Sequence, residues 1–356
     1  MPRHPRSILS LALGLVLAHG TAYADTSAVK SSTAATTAIA ESTNAILQGD
    51  GPRALLALQA VPAQGYKGED AAYLDCMQRL HRATAPIHTG KVDDPFVRGV
   101  LDDYQDYWWQ AMQHPAQRDA LEARLLQALQ SRLALPDARD MDAIEPILEK
   151  RLLEHGYHAQ TGMTRPLREL MLWHKQDERM FKVDLPDGPY NVKVEMLDDF
   201  ASRGWTSYGR CERGSAGGWA TADTLYAVMP SYPEGVDSEA FRVVLLGHET
   251  QHFADQNAFP GLQPWELEYR AKLVELVLGR EVSAKRLTFF MTSQGDDTNS
   301  PHTYANKRVV TDLTARLGRS PDTVDIDTLQ RAARAQLLAD TARRKAAGKS
   351  STTAAQ

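Results

Sequence analysis

Two histidines four residues apart, in the sequence His-Glu-Thr-Gln-His at residues 248–252, constrain this chain more than any other feature. Four residues make about one helical turn, so His248 and His252 would share one helix face and could bind a single Zn²⁺. Glu249 lies between them and can accept a proton from a water molecule at the metal. Residues 245–254 carry no charge except Glu249, which indicates a helix packed on its apolar side.

A catalytic zinc site needs a third protein ligand and a free coordination position. Pro260-Gly261 should end the metal-binding helix, and Pro264 is typical of the first turn of a new helix. At about 1.5 Å per residue, the second helix returns Glu268 to the level of the histidines. Glu275 would lie two turns further on, nearer to the first histidine, whereas Glu266 would face away. Geometry alone leaves both Glu268 and Glu275 open as the third ligand.

The motif, followed by the segment Glu268-Tyr269-Arg270-Ala271, resembles the zincin metallopeptidases of the gluzincin type. The resemblance covers about residues 225–280, a small part of the chain. It implies that Glu268 is the third ligand beside His248 and His252, and that the metal is Zn²⁺. It also implies that Glu249 is the general base of a peptidase.

The chain departs from this family at one position near the metal. Many gluzincins have an aspartate four residues after the ligand glutamate, where it can orient a ligating histidine, and this chain has Lys272. The departure concerns the groups around the ligands more than the ligands themselves. The metzincin pattern is absent, because Asp255 and Ala258 occupy the positions of its glycine and its third histidine.

Two further segments fit the same interpretation. In gluzincins an edge strand before the active-site helix pairs with an extended substrate, and Thr224–Met229 is the corresponding segment here. An ordinary internal strand is the alternative. Ser300 and Pro301 predict the start of a helix. There, His302 or Tyr304 could donate a hydrogen bond to the oxyanion formed during hydrolysis, with a purely structural role as the alternative.

The order of elements predicts an α+β fold. Residues 41–164 have apolar residues three and four apart, which is typical of helices. Farther on, Met180–Leu185 and Tyr190–Met196 alternate in polarity around Pro186-Asp187-Gly188-Pro189, which predicts a hairpin. We expect the helical region to pack on a small zincin-like domain over residues 165–342. This domain would contain a short sheet with an edge strand, the active-site helix and the glutamate helix.

Both ends of the chain have a composition that differs from the folded body. Arg3, Arg6 and a short apolar run precede Ala22-Tyr23-Ala24, so residues 1–24 predict a signal peptide and a periplasmic or secreted protein. Residues 25–40 predict a flexible leader, and residues 343–356 a disordered tail. No segment predicts stable insertion into a membrane.

The four aromatic residues of one helical stretch predict core packing rather than a ligand platform: Tyr104, Tyr107, Trp108 and Trp109. Cys76 and Cys211 are the two cysteines of the chain. In an oxidising compartment they could form a disulfide, and two free thiols are the alternative.

Charge gives no reason to expect a nucleic acid as partner. Removal of residues 1–24, with Arg3 and Arg6, changes the formal net charge from −5 to −7. Our leading hypothesis is an exported zinc peptidase that acts on a peptide or protein substrate. One alternative is a catalytically inactive binding protein stabilised by zinc, and another is a zinc amidase acting on a non-peptide amide such as cell-wall material.

Overall fold

A computed structural model describes residues 30–221 and 223–353, and the side chains of residues up to 346. The predicted signal peptide at residues 1–24 lies outside the described residues. Two compact units make up the described chain. The N-terminal unit contains residues 30–177 and 197–216, and the C-terminal unit contains residues 178–196 and 217–353.

Helices dominate the N-terminal unit. They are α1 (Thr33–Leu47), α2 (Gly51–Gln59), α3 (Glu69–Arg82), α4 (Pro95–Gln113), α5 (Arg118–Leu133), α6 (Met141–Glu154) and the single turn α7 (Trp205–Tyr208), with 3₁₀ turns at Ala63–Gly65 and Pro115–Gln117. Strand β1 (His158–Thr164) pairs antiparallel with the beginning of β2 (Leu167–Leu185). Because this pairing keeps the start of β2 with the N-terminal unit, the chain does not divide at residue 165 as we expected.

The expectation of a flexible leader over residues 25–40 is wrong from residue 33 onwards, where α1 begins. The Ser32 hydroxyl caps this helix by accepting a hydrogen bond from the amide of Ala35 at 3.1 Å. Ala35 and Ala38 are buried in the core of the unit. The small alanine side chains of this segment therefore pack α1 closely against the core.

Aromatic side chains of α4 fill the same core, as the sequence predicts. Tyr104 and Trp108 are fully buried, and the Trp108 indole donates a hydrogen bond to the carbonyl of Arg168 at 2.8 Å. Cys76 on α3 and Cys211 are joined by a disulfide, with their Cα atoms 6.2 Å apart. This contact decides between the two alternatives for the cysteines.

The C-terminal unit combines short strands with a layer of helices. Its elements are the end of β2, the beginning of β3 (Gly188–Arg203), β4 (Gly218–Ala220), β5 (Leu225–Val228), a π-helical segment at Ala240–Gly247, α8 (His248–Ala258), α9 (Pro264–Leu278), α10 (Ser283–Thr292), α11 (Pro301–Leu317) and α12 (Ile326–Thr353), with 3₁₀ turns at Met229–Ser231 and Pro321–Thr323. The predicted hairpin is confirmed, since β2 ends at Leu185 and its neighbour β3 begins at Gly188. The α+β class is confirmed as well.

The sheet has the strand order β1-β2-β3-β5-β4, which places β5 between β3 and β4. The segment Thr224–Met229, which contains β5, is therefore an internal strand, and our expectation of an edge strand there is wrong. The terminal strand is β4, which pairs antiparallel with β5 through Gly218 opposite Ala227 and Ala220 opposite Leu225. The short Gly217-Gly218 segment gave no alternating pattern from which this strand could be recognised.

Helix α12 extends to Thr353, so the prediction of a disordered tail from residue 343 is wrong for the residues described. Ion pairs explain part of this order, because both Arg343 and Arg344 contact the buried carboxylate of Asp340. Asp340 also binds Arg270 of α9 at 2.8 Å. Over residues 30–353, apart from residue 222, no helix is both long and apolar enough to cross a membrane.

We predict that replacing both cysteines, Cys76→Ser with Cys211→Ser, lowers the free energy of unfolding of the N-terminal unit by about 2–5 kcal/mol. The disulfide closes a long loop, and its loss lets the unfolded chain gain conformational entropy. Chemical denaturation of the two proteins measures the difference. A reducing agent should lower the stability of the wild type to that of the variant, and equal denaturation midpoints without reductant would contradict the prediction.

Candidate metal centre

The two histidines lie at the beginning of α8, directly after the π-helical segment. Phe241 and Leu245 of that segment are buried in the core. Their packing fixes the position of the segment that leads into the histidine motif. Single π-helical turns occur frequently at functional sites. Helix α8 ends at Ala258, before Pro260-Gly261, and α9 begins at Pro264 as the sequence predicts. The tight connection lets α9 return alongside α8.

Three potential ligand side chains, His248, His252 and Glu268, converge between these helices. The Nε2 atoms of His248 and His252 lie 3.1 Å apart. The carboxylate of Glu268 places Oε1 3.4 Å from Nε2 of His252, and Oε2 3.6 Å from Nε2 of His248. Around a tetrahedral zinc with bonds of 2.0–2.1 Å, ligand atoms stand about 3.3 Å apart. The spacing of these donors, two imidazoles and one carboxylate, therefore fits a zinc ion, although His252 Nδ1 is buried without a hydrogen-bond partner.

Protonation of the histidine pair supports the same interpretation. Two ring nitrogens 3.1 Å apart repel each other through their lone pairs unless a proton or a cation lies between them. Burial alone would lower the pKa of His248, but the charges of Glu268 and Glu275 raise it to about 10. The site therefore favours a positive charge between the two imidazoles, and a metal ion competes with a proton for this position.

Glu275 lies on the far side of the His248 ring from Glu268. Its Oε1 accepts a hydrogen bond from Nδ1 of His248 at 2.7 Å, and Arg286 of α10 contacts both of its oxygens. Burial would raise the pKa of Glu275, but Arg286 and His248 lower it to about 2. Of the two carboxylates that the sequence left open, Glu268 therefore faces both Nε2 atoms and Glu275 orients a histidine.

Glu268 also has two partners that the sequence did not assign to it. Its Oε2 accepts a hydrogen bond from Nζ of Lys272 at 3.1 Å and lies 2.8 Å from Nδ1 of His302. The ammonium of Lys272 lies 5.5 Å from the centre of the Phe290 ring. Burial would raise the pKa of Glu268, but Lys272, His302 and His248 hold it well below its usual range.

Glu249 and Tyr232 are the polar side chains of the centre that lack such partners. The Glu249 carboxylate lies within 4.8 Å of ligand atoms of both histidines. Among the described residues it forms no hydrogen bond or ion pair, so its lone pairs are available to a substrate or water. The hydroxyl of Tyr232 is buried without a hydrogen-bond partner. Burial and the charge of Glu249 raise the pKa of Tyr232. No sequence pattern pointed to Tyr232.

The remaining predicted residue, Tyr304, is placed differently from His302. Helix α11 begins at Pro301, after Ser300, and carries both side chains in its first turn. His302 reaches Glu268, whereas the ring of Tyr304 packs edge-on against Trp265 of α9 with 5.0 Å between ring centres. The structure thus brings His302 to the carboxylate of Glu268 and packs Tyr304 on the neighbouring helix.

No protein-family model, curated protein or solved structure matches this chain. The interpretation of the centre therefore depends on its own residues. The donor set, the distances between donors and the histidine held by a carboxylate are all features that zinc sites share.

We predict that zinc binding at neutral pH releases about one proton, and that the apparent zinc affinity rises about tenfold per pH unit between pH 6.5 and 9. The reason is that His248, with its pKa raised to about 10, must lose a proton before its Nε2 can bind the metal. Calorimetric titration in buffers of different ionisation enthalpy measures the proton release. Affinity that does not change over this pH range would contradict the prediction.

Proposed function

We propose that this protein is a zinc-dependent peptidase of the zincin type. His248, His252 and Glu268 would bind the metal, and Glu249 would be the general base. The observation that carries the proposal is the convergence of two imidazoles and one carboxylate. Nε2 of His248 and Nε2 of His252 lie 3.1 Å apart, and each lies within 3.6 Å of a different oxygen of Glu268. Glu249 lies beside them without a partner among the described residues. Structural zinc sites are closed by four protein ligands, whereas a catalytic site has three and an open position for water.

Glu249 moves the proton in the proposed reaction. Zinc, when bound, would polarise the substrate carbonyl and lower the pKa of a water molecule. Glu249 accepts the proton of the attacking water and passes it to the nitrogen of the leaving amine. The absence of a competing hydrogen bond to its carboxylate among the described residues supports this role.

Three side chains of the C-terminal unit are candidates to hold the substrate. His302 and Tyr304 come from the first turn of α11, and the buried hydroxyl of Tyr232 is a donor without an acceptor. Any of them that reaches the scissile carbonyl would stabilise the negative charge that forms on its oxygen. Extended peptide would pair with the terminal strand β4, at Gly218–Ala220, rather than with the internal strand β5.

The proposal includes a zincin-like fold for the C-terminal unit and export of the protein after cleavage near Ala24. The disulfide between Cys76 and Cys211 supports export, because such bonds persist mainly in oxidising compartments. The sequence of β4, β5, α8 and α9 supports the fold, since it supplies a sheet, a histidine helix and a glutamate helix in that order.

A second candidate function is a zinc-stabilised binding protein without catalytic activity. The contact between Lys272 and Glu268 favours it, because a buried cation beside a ligand carboxylate competes with the metal for the charge of that carboxylate. Turnover of a mixed peptide library, followed by mass spectrometry of the products, separates the two functions. Peptide products formed by the zinc-loaded protein support the peptidase.

We predict that Glu249→Gln lowers the rate of peptide hydrolysis by about 10²–10⁴-fold, the usual contribution of a general base. The amide keeps the size of the side chain but cannot accept the proton. Zinc content, measured by elemental analysis, should stay at the level of the wild type.

Glu281→Gln is the matched control, because Glu281 is an exposed glutamate of the same unit, and it should retain full activity. Equal rates in the wild type and Glu249→Gln would refute the role of the base. The absence of hydrolysis in both, with zinc bound, would favour the binding protein.

A further inference from the structure

Helix α10 contributes an arginine to the metal centre although it supplies no ligand. Arg286 contacts Oε2 of Glu275 through Nε, and its Nη2 donates a hydrogen bond to Oε1 at 3.1 Å. Glu275 is 0% exposed and Arg286 15% exposed at their side chains. This two-point contact fixes the plane of the carboxylate, as paired arginine–carboxylate bonds do.

Phenylalanine rings hold Arg286 in this position. Its guanidinium lies 5.4 Å from the centre of the Phe289 ring and 5.2 Å from that of Phe290. Such stacking is available to the flat guanidinium of arginine and much less to lysine. The orientation of Glu275 therefore follows from the packing of α10.

Glu275 in turn determines which nitrogen of His248 can bind a metal. A carboxylate oxygen 2.7 Å from Nδ1 requires a proton on that nitrogen. In the neutral ring the lone pair is then on Nε2, which is the nitrogen that faces His252 and Glu268. A histidine with the opposite tautomer would present a proton to the metal instead.

We propose that Arg286 is a positioning residue of the metal centre, which acts through Glu275 to fix the ring and the tautomer of His248. The inference rests on the proposed function in that it requires the centre to bind zinc. Without Arg286, Glu275 would be a buried carboxylate with no fixed plane, and breaking such a buried pair is costly. His248 would then sample orientations that do not face the other ligands.

The experiment measures the affinity of purified Arg286→Gln for Zn²⁺ by competition with a chromophoric chelator. Loss of a group that orients a ligand typically weakens metal binding 10–100-fold, and we expect a change in that range. Arg286→Lys keeps the charge but loses the two-point contact, and its affinity should be intermediate.

Arg168→Gln is the matched control for a general loss of stability. Arg168 is 13% exposed at its side chain and pairs with Glu122 and the buried Glu145 in the N-terminal unit. Its removal should lower the melting temperature and leave zinc affinity unchanged. Equal zinc affinity in Arg286→Gln and the wild type, or an equal loss in both variants, overturns the role of Arg286.

A second measurement remains informative even if Arg286→Gln does not fold. Nitrogen NMR of the imidazoles in the zinc-loaded wild type should show His248 with the proton on Nδ1, and this proton should exchange faster in Arg286→Lys. An unchanged exchange rate refutes the inference. Failure of the wild type to bind zinc at all refutes the metal centre itself, which is a separate result.

Discussion

The candidate metal centre of the C-terminal unit depends on the attraction between buried opposite charges around α8 and α9. Glu249, Glu268 and Glu275 are all buried, and each isolated buried charge costs several kcal/mol. Lys272 and Arg286 balance two of these three carboxylates. The raised pKa of His248 favours a compensating positive charge on its ring, and the metal ion supplies that charge in the function that we propose.

Three of these charged residues lie on helix α9, at positions set by the helical repeat. Glu268, Lys272 and Glu275 are separated by four and three residues, so they share one face of the helix. Glu268 and Glu275 reach the histidines of α8, and Lys272 reaches Glu268. One helix thus supplies the proposed ligand, the cation that contacts it and the carboxylate that orients the neighbouring histidine. The position where many gluzincins have an aspartate is taken by Lys272, and the orienting contact comes from Glu275 instead.

Much of this arrangement could be predicted from the sequence, because it depends on interactions within one or two helical turns. The helical character of the region that contains α4 follows from apolar spacing, and the start of α9 at Pro264 follows from proline. The proximity of Glu268 to the histidines follows from the short connection between the helices.

Contacts between distant parts of the chain account for what the sequence did not predict. The internal position of β5 depends on pairing with both β3 and β4, and no local pattern encodes it. The contact of Arg286 with Glu275 requires α10 to fold back on α9, and the burial of the Tyr232 hydroxyl depends on the completed core. The helical order of residues 33–40 likewise comes from packing, since their composition alone is typical of a loose segment.

A crystal structure of the zinc-soaked protein, with anomalous diffraction recorded at the zinc absorption edge, tests the central claim most directly. We expect one strong peak about 2.0–2.2 Å from Nε2 of His248, Nε2 of His252 and one oxygen of Glu268, with Glu275 still bound to Nδ1. A peak coordinated by Glu275 in place of Glu268, or no peak between the two histidines, would contradict it.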